Sequence, residues 1–270
     1  MEAKVYILDG KFSPRLGRNL EKVAIAAAEF FGTAILIFIS CMGASRWLVD
    51  GDLSVLHSSF AAGMAVTTAI HIFGHISGAH VNPVTTVAGA HVNPVTTVGA
   101  AIMQKITLDQ VPFYVIPQLL GGCVGYGFVM VVTPEQYMRD PNSTQPQHGI
   151  GMNVPSTRIE VSQALGVEML ISLVLTFANC ASWDPRTKHL IDSVSIRFGL
   201  IVAGINFAAA SYTGASMNPA RSFGPAVWNN DWENHWIYWV GPLTSAVVGS
   251  VIYRFLFINI YNRSSINPIY

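Results

Sequence analysis

Gly214-Ala215-Ser216-Met217-Asn218-Pro219-Ala220-Arg221 sets a capping amide, a helix start and a permanent cation side by side in apolar surroundings. Asn suits a helix N-cap, and Pro at the first helical position gives up no hydrogen bond because its N–H would be orphaned there anyway. A helix is therefore predicted from Pro219. The positive end of its dipole lies beside Arg221, where charge and dipole repel. An Arg held at that cost between apolar segments is expected to face a polar cavity or a partner. These residues alone would equally suit a capped surface loop, and the rest of the chain has to decide.

The 270 residues are 51% hydrophobic and 11% charged, well below the roughly 25% charged residues of soluble domains. The chain reads as a polytopic membrane protein. Formal net charge is zero, so no global field attracts nucleic acid or acidic partners. Cys41, Cys123 and Cys180 lie in apolar runs without metal-ligand spacing and read as small buried hydrophobes, implying no disulfide framework and no metal site. The N-terminal segment carries Lys4, Lys11, Arg15 and Arg18 but no short apolar core with a small-residue cleavage site, so no cleaved signal peptide is expected.

Six apolar stretches, near 23–45, 55–74, 110–133, 161–182, 194–211 and 234–258, reach the about 20 residues that a bilayer crossing takes. Two further pieces, around 82–103 and 214–228, carry Asn-Pro and read as re-entrant. Such backbone is tolerated at membrane depth only where protein buries it or a cavity hydrates it. An even number of spans puts both termini on one side. That side collects Lys4 through Lys22, Lys105, Arg186, Lys188, Arg197, Arg254 and Arg263, against only Arg46, Arg139 and Arg158 opposite. Both termini are therefore expected in the cytoplasm. The 134–160 connection then lies outside, and its Asn142-Ser143-Thr144 is a glycosylation candidate at Asn142.

The chain also repeats itself. Glu29-Phe30-Phe31-Gly32-Thr33 through Phe38 matches Glu168-Met169-Leu170-Ile171-Ser172 through Phe177, with Glu, a small hydroxyl and Phe in register. Each is followed, one span later, by Gly-Ala-x-x-Asn-Pro. Three spans per half is an odd number, so the second half sits upside down, and an inverted repeat brings the two half-helix N-termini together at the midplane. That geometry makes a pore. Glu29 and Glu168 are costly intramembrane carboxylates; a structural role, accepting N–H groups of the re-entrant loops, is expected over proton relay. Gly121-Gly122-Cys123-Val124-Gly125 reads as a close-packing device.

Gly74-His75-Ile76-Ser77-Gly78-Ala79-His80-Val81-Asn82-Pro83, Ser211-Tyr212-Thr213-Gly214 through Asn218-Pro219-Ala220-Arg221-Ser222-Phe223-Gly224-Pro225, and His235-Trp236-Ile237-Tyr238-Trp239-Val240-Gly241-Pro242 together resemble the aquaporins, the major intrinsic proteins. The resemblance covers about residues 20–258. It implies an all-α membrane protein of six transmembrane helices plus two re-entrant half-helices in an inverted repeat. The implied organisation is a cytoplasmic segment 1–22, a channel domain 23–258 with halves of about 23–133 and 161–258, and a cytoplasmic tail 259–270. It also implies a plasma-membrane homotetramer that passes water and small neutral solutes, needs no cofactor, does no enzyme chemistry and contacts membrane lipid but no nucleic acid.

The sequence departs from the family at two places. The first Asn-Pro element occurs twice, as Gly78 through Val87 and, after Ala88, again as Gly89 through Val98. Upstream spacing fits Asn82 and downstream spacing, to Gln118, fits Asn93. Only one should reach the pore constriction beside Asn218. Asn82 there would leave Pro94 inside an extended half-helix, at about 3 kcal/mol; Asn93 there would leave the first copy as extra loop, and Asn93 is the expected one. Both copies read Asn-Pro-Val where the family has Asn-Pro-Ala.

The second departure is the selectivity filter, whose four positions fall on Ala62, Asn206, Ala215 and Arg221 by counting from the matched motifs. Water-selective members of the family that the chain resembles typically place Phe and His at the first two, and those bulky groups are missing here. The opening here should be wider and polar on one side, which favours urea or glycerol as well as water. Ser222, Ala226 and Tyr238-Trp239 resemble the water-channel subgroup instead, and the filter is given more weight because its side chains would touch the solute. Ala215 stands where many water channels carry a mercury-reactive Cys, so no mercurial block is expected there. His80 and His91 could line the inner vestibule and respond to pH. The rival reading is a structural or adhesive protein that keeps the fold and conducts nothing, which the duplication makes plausible.

Overall fold

The computed structural model describes residues 14–45, 54–78, 90–134, 137–138 and 148–259. Eight α-helices occupy them: α1 (Pro14–Met42), α2 (Val55–Ser77), α3 (Pro94–Ile102), α4 (Val111–Val132), α5 (Val161–Ser182), α6 (Val194–Thr213), α7 (Pro219–Asn229) and α8 (Ile237–Ile252). A 3-10 segment, Pro185–Ser193, links α5 to α6, and a π-helical turn, Tyr253–Ile258, prolongs α8. No strand occurs among the described residues.

Six of these helices are long and apolar enough to cross a membrane, and α3 and α7 are the two short ones. The protein is thus an integral, multi-pass, all-α membrane protein. α1 starts at Pro14 rather than near 23, since Pro costs nothing in a first helical turn; its apolar part is Asn19–Met42. The first re-entrant helix starts at Pro94, later than the predicted 82.

Packing repeats between the halves. α1 lies on α4 as α5 lies on α8; α4 touches α7 as α8 touches α3; α2 and α6 meet each other. Exchanging α1–α4 with α5–α8 leaves this pattern unchanged, as an inverted repeat requires. Glycine permits the closest crossings. A Cβ on Gly121 would stand 2.3 Å from the Phe30 carbonyl oxygen, and one on Gly125 2.3 Å from that of Ala34. Without a hydrophobic drive between helices in lipid, such backbone proximity is what dispersion and packing have to work with.

Consecutive spans run antiparallel, so the ends of α1, α4 and α6 share one face with the starts of α2, α5 and α8. Arg221 lies toward that face and Trp183, just past α5, toward the other. Trp228, Trp232 and Trp236 are half-exposed on the Arg221 side, where indoles suit a membrane–water boundary. Leu170, Phe128 and Val131 are exposed on the flanks of their helices, as side chains bathed in lipid would be. Cys41 and Cys180 are buried, but Cys123 is only half-buried, because the glycines of α4 take the inward positions around it.

Candidate functional site

Each half-helix is approached by a loop in unusual backbone conformation. Before α7, Gly214, Ala215 and Met217 have φ of 76°, 48° and 52°; before α3, Val92 has φ 45°. For a β-branched residue this region is a true outlier, costing on the order of 1–3 kcal/mol. Two buried carboxylates hold these conformations. Glu168 on α5 accepts the Thr213 hydroxyl at 2.6 Å and the N–H groups of Ser216 and Met217 at 2.9 Å each. Glu29 on α1 accepts the N–H groups of His91 and Val92 at 2.9 and 2.7 Å and the Gln118 amide at 2.7 Å. Tyr238 donates to the Thr213 carbonyl and Tyr114 to the Ser77 carbonyl, at 2.9 and 2.8 Å, fastening the helix end before each loop.

The loops deliver two asparagines to the same place. Asn93 caps α3, its Oδ1 accepting Val95 N–H at 2.8 Å, and its Nδ2 donates to the Met217 carbonyl at 2.9 Å. Asn218 caps α7, accepting Ala220 N–H at 3.0 Å, and its Nδ2 donates to the Val92 carbonyl at 2.9 Å. Asn82, with the rest of the first copy from 79 to 88, lies outside the described residues, as do His80 and Asn142.

Asn93 and Asn218 line a cavity of about 70 Å³, room for a file of several waters at about 10–15 Å³ each. Ala62, Asn206, Ala215 and Arg221 all line it as well. Asn206 turns its amide onto the Ala215 carbonyl at 3.1 Å. The Arg221 guanidinium donates to the Gly151 carbonyl at 2.5 Å, so the cation is held by a loop 70 residues away in sequence. That loop is itself pinned. His148 meets Asp231 at 2.5 Å, and Asn153 donates to the Gly214 carbonyl and accepts the Ser222 hydroxyl, both at 2.9 Å. Glycines within a polar linker were the available sequence signal for this contact, and it says nothing of the partner.

Toward the other face the wall is made by His91, Asn179 and Trp183. His91 stacks on Tyr114, with ring centroids 4.5 Å apart. Asn179 donates to Thr96 Oγ1 at 3.2 Å. The sequence reading passed over Asn179 and Trp183, although an Asn inside an otherwise apolar helix was a visible cue. Just beyond α5, Asp184 takes a bidentate guanidinium from Arg186 and a hydroxyl bond from Tyr253. The Arg186 hydrogen bonds hold the Asp184 carboxyl below its ordinary range.

Comparison with known proteins agrees with this architecture. The major intrinsic protein family matches residues 18–88 and 84–253, so the first match takes in the first copy of the duplicated element and the second match the second copy, with residues 84–88 in both. Aquaporin-4 of Mus musculus is 34% identical over 86% of this chain, and aquaporin-4 of Homo sapiens 34% identical over 85%. The chain spans 66% of the length of each of those relatives. The lens fiber major intrinsic protein of Ovis aries is 35% identical over 85% of this chain and 79% of its own length. Among solved structures, an aquaglyceroporin from Plasmodium falciparum superposes with a TM-score of 0.70 at 20% identity, covering 89% of this chain and 99% of that one, a likeness of fold. Matched along both inverted halves and through both asparagine-capped half-helices, the chain belongs to the major intrinsic protein family, the aquaporins.

Proposed function

We propose that the protein is a passive channel for water, and for small neutral solutes such as urea or glycerol, that turns back ions and protons. The observation that carries this reading is the crossed pair of asparagines on the cavity wall. One N–H of each amide is committed to the opposing carbonyl, at 2.9 Å in both cases. The second N–H of each is left to donate to a water oxygen. A water accepting at that point turns its own hydrogens outward toward both ends, so a proton wire reverses direction there and is interrupted. The positive ends of two half-helix dipoles converge on the same spot and oppose cations. Arg221 opposes them again near its mouth.

Small side chains at Ala62 and Ala215, with Asn206 drawn aside onto a carbonyl, support passage of solutes larger than water. The Lys and Arg distribution supports cytoplasmic termini and places the Arg221 end outside. Family membership supports a homotetramer in the plasma membrane, with one pore per subunit.

Stopped-flow light scattering on proteoliposomes tests the proposal, comparing water flow and solute uptake for the full chain and for a variant lacking residues 78–88. Water flow at least about tenfold above protein-free vesicles, with a low activation energy, is expected for both. A second reading, a non-conducting structural membrane protein, is favoured by one observation, the extra copy of the element just ahead of His91. Water flow no faster than through lipid in the full chain, restored by the deletion, would establish that second reading.

A further inference from the structure

The cavity has one polar stretch that the mechanism above leaves unused. α5 turns Glu168, Ser172 and Leu175 inward at helical spacing, and the next residue on that buried face, only 5% exposed, is Asn179. An amide among apolar neighbours at membrane depth is costly unless its groups find partners. Its Nδ2 is used on Thr96, at 3.2 Å; among the described residues no protein group donates to its Oδ1. That carbonyl oxygen belongs to a side chain lining the cavity.

His91 lines the same cavity. Its Nδ1 lies 3.2 Å from the Thr97 hydroxyl, which also reaches the Asn93 carbonyl at 3.1 Å, and its Nε2 is turned into the protein, where it finds no partner among the described residues. The adjacent hydroxyls of Thr96 and Thr97, in the first turn of α3, thus hold the two polar side chains of this wall, of which Asn179 has a carbonyl oxygen to spare. The Trp183 ring, its centroid 6.2 Å from that of His91, adds a flat wall.

We infer that Asn179 is a specificity-determining residue, forming with His91 a second solute-selecting station between the asparagine pair and the Trp183 end, which takes a small neutral amide of the urea class. This rests on the channel reading above. Urea carries four N–H donors where water carries two O–H donors, so it loses more hydrogen bonds on entering an apolar stretch. Acceptors in the wall matter correspondingly more to it, because a pathway that leaves donors unpaired discriminates strongly against the solute bearing them. Leu at this position would continue the Leu175 face and provide nothing for urea.

The test is paired urea and water permeability of full-length protein in proteoliposomes, wild type against Asn179→Leu, with Thr96→Val as a second variant that keeps the Asn179 amide but removes its support. In Asn179→Leu, urea permeability is expected to fall about tenfold while water flow stays within about threefold; Thr96→Val should lower urea permeability by a smaller factor. Asn179→Ser, which restores a polar group, should recover part of the loss. An unchanged urea-to-water ratio in both Asn179→Leu and Thr96→Val would overturn the inference and leave the channel reading intact. So would a wild-type protein that passes water and no urea. Absence of water flow in the wild type would instead overturn the channel reading, and this inference with it.

Discussion

Asn93 and Asn218 each cap their own half-helix with one side-chain atom and brace the other's approach loop with the second, through Asn93 Nδ2 to the Met217 carbonyl and Asn218 Nδ2 to the Val92 carbonyl, both 2.9 Å. The accepting residues are the two left-handed ones immediately before the asparagines, with φ of 52° and 45°. Their N–H groups go to Glu168 and Glu29. Carboxylate, strained residue and opposing asparagine therefore form one connected set on each side of the pseudo-two-fold.

If the carboxylates hold the loops, Glu29→Gln should be destabilising although it is nearly isosteric. An amide in place of Glu29 sets an NH2 against one of the N–H groups of His91 and Val92, leaving a buried donor unpaired at a cost of about 2 kcal/mol. Thermal unfolding in detergent, followed by tryptophan fluorescence, should show a clear drop in Tm, with Glu168→Gln behaving alike. Unchanged melting in both would contradict the role.

Backbone contact between α1 and α4 makes Gly125→Ala unfavourable. The added methyl would stand 2.3 Å from the Ala34 carbonyl oxygen, and overpacking of that kind costs about 1–3 kcal/mol. Gly204 is the control. A Cβ there meets nothing within 4 Å, so Gly204→Ala should be neutral or raise stability by up to about 1 kcal/mol through helix propensity. The same melting experiment distinguishes the two.

Arg221→Val removes the cation that the Gly151 carbonyl holds at 2.5 Å. Water flow should persist, while proton or cation leak, read with a pH-sensitive dye trapped in the vesicles, should rise about tenfold or more. A leak no greater than wild type would assign proton exclusion to the asparagine pair alone.

Asp184 makes stability fall in acid. Its carboxyl lies below its ordinary value of 3.8, chiefly because Arg186 donates to it. A depressed carboxyl contributes stability that is fully present above the unfolded value and is lost as pH falls through the folded one. Tm should therefore be insensitive to this group above about pH 5 and decline below about pH 4. Asp184→Asn should have a lower Tm at pH 6 and a shallower decline between pH 4 and pH 3; parallel curves for the two proteins would contradict the assignment.

Ala215 lines the cavity, and none of Cys41, Cys123 and Cys180 does. Water flow through the wild type should therefore survive mercurials, and Ala215→Cys should confer a block reversible by thiol reagents. Stopped-flow traces with and without mercuric chloride decide it.

The spans, their inverted pairing and the presence of an Asn-Pro half-helix in each half were legible in the sequence because each rests on a local cause. About 20 apolar residues suffice to cross a bilayer, and Asn followed by Pro suffices to start a helix. Glu29 and Glu168 stood out because a carboxylate in an apolar run has to be accounted for. The cavity face of α5 was less legible. Asn179 and Trp183 lie 88 and 92 residues beyond His91 in sequence, and only the packing of α3 against α5 brings them to one wall. Gly151 is in the same position with respect to Arg221.

The duplicated element marks the boundary between the two kinds of information. Its copies are identical from Gly78 to Val87 and from Gly89 to Val98, so no capping preference can tell Asn82 from Asn93, and only spacing and the misfit of Pro94 inside a longer half-helix lean toward the second. Sequence by itself determined that an asparagine-capped half-helix exists in each half and that the halves are inverted. Tertiary structure decided that Asn93 caps α3, because the N–H groups of His91 and Val92 reach Glu29, 62 and 63 residues earlier, while Gln118 closes the same carboxylate from α4. A capping preference acts over one helical turn and is the same for both copies; a buried carboxylate can be satisfied by only one set of donors, and that set is assembled by the fold.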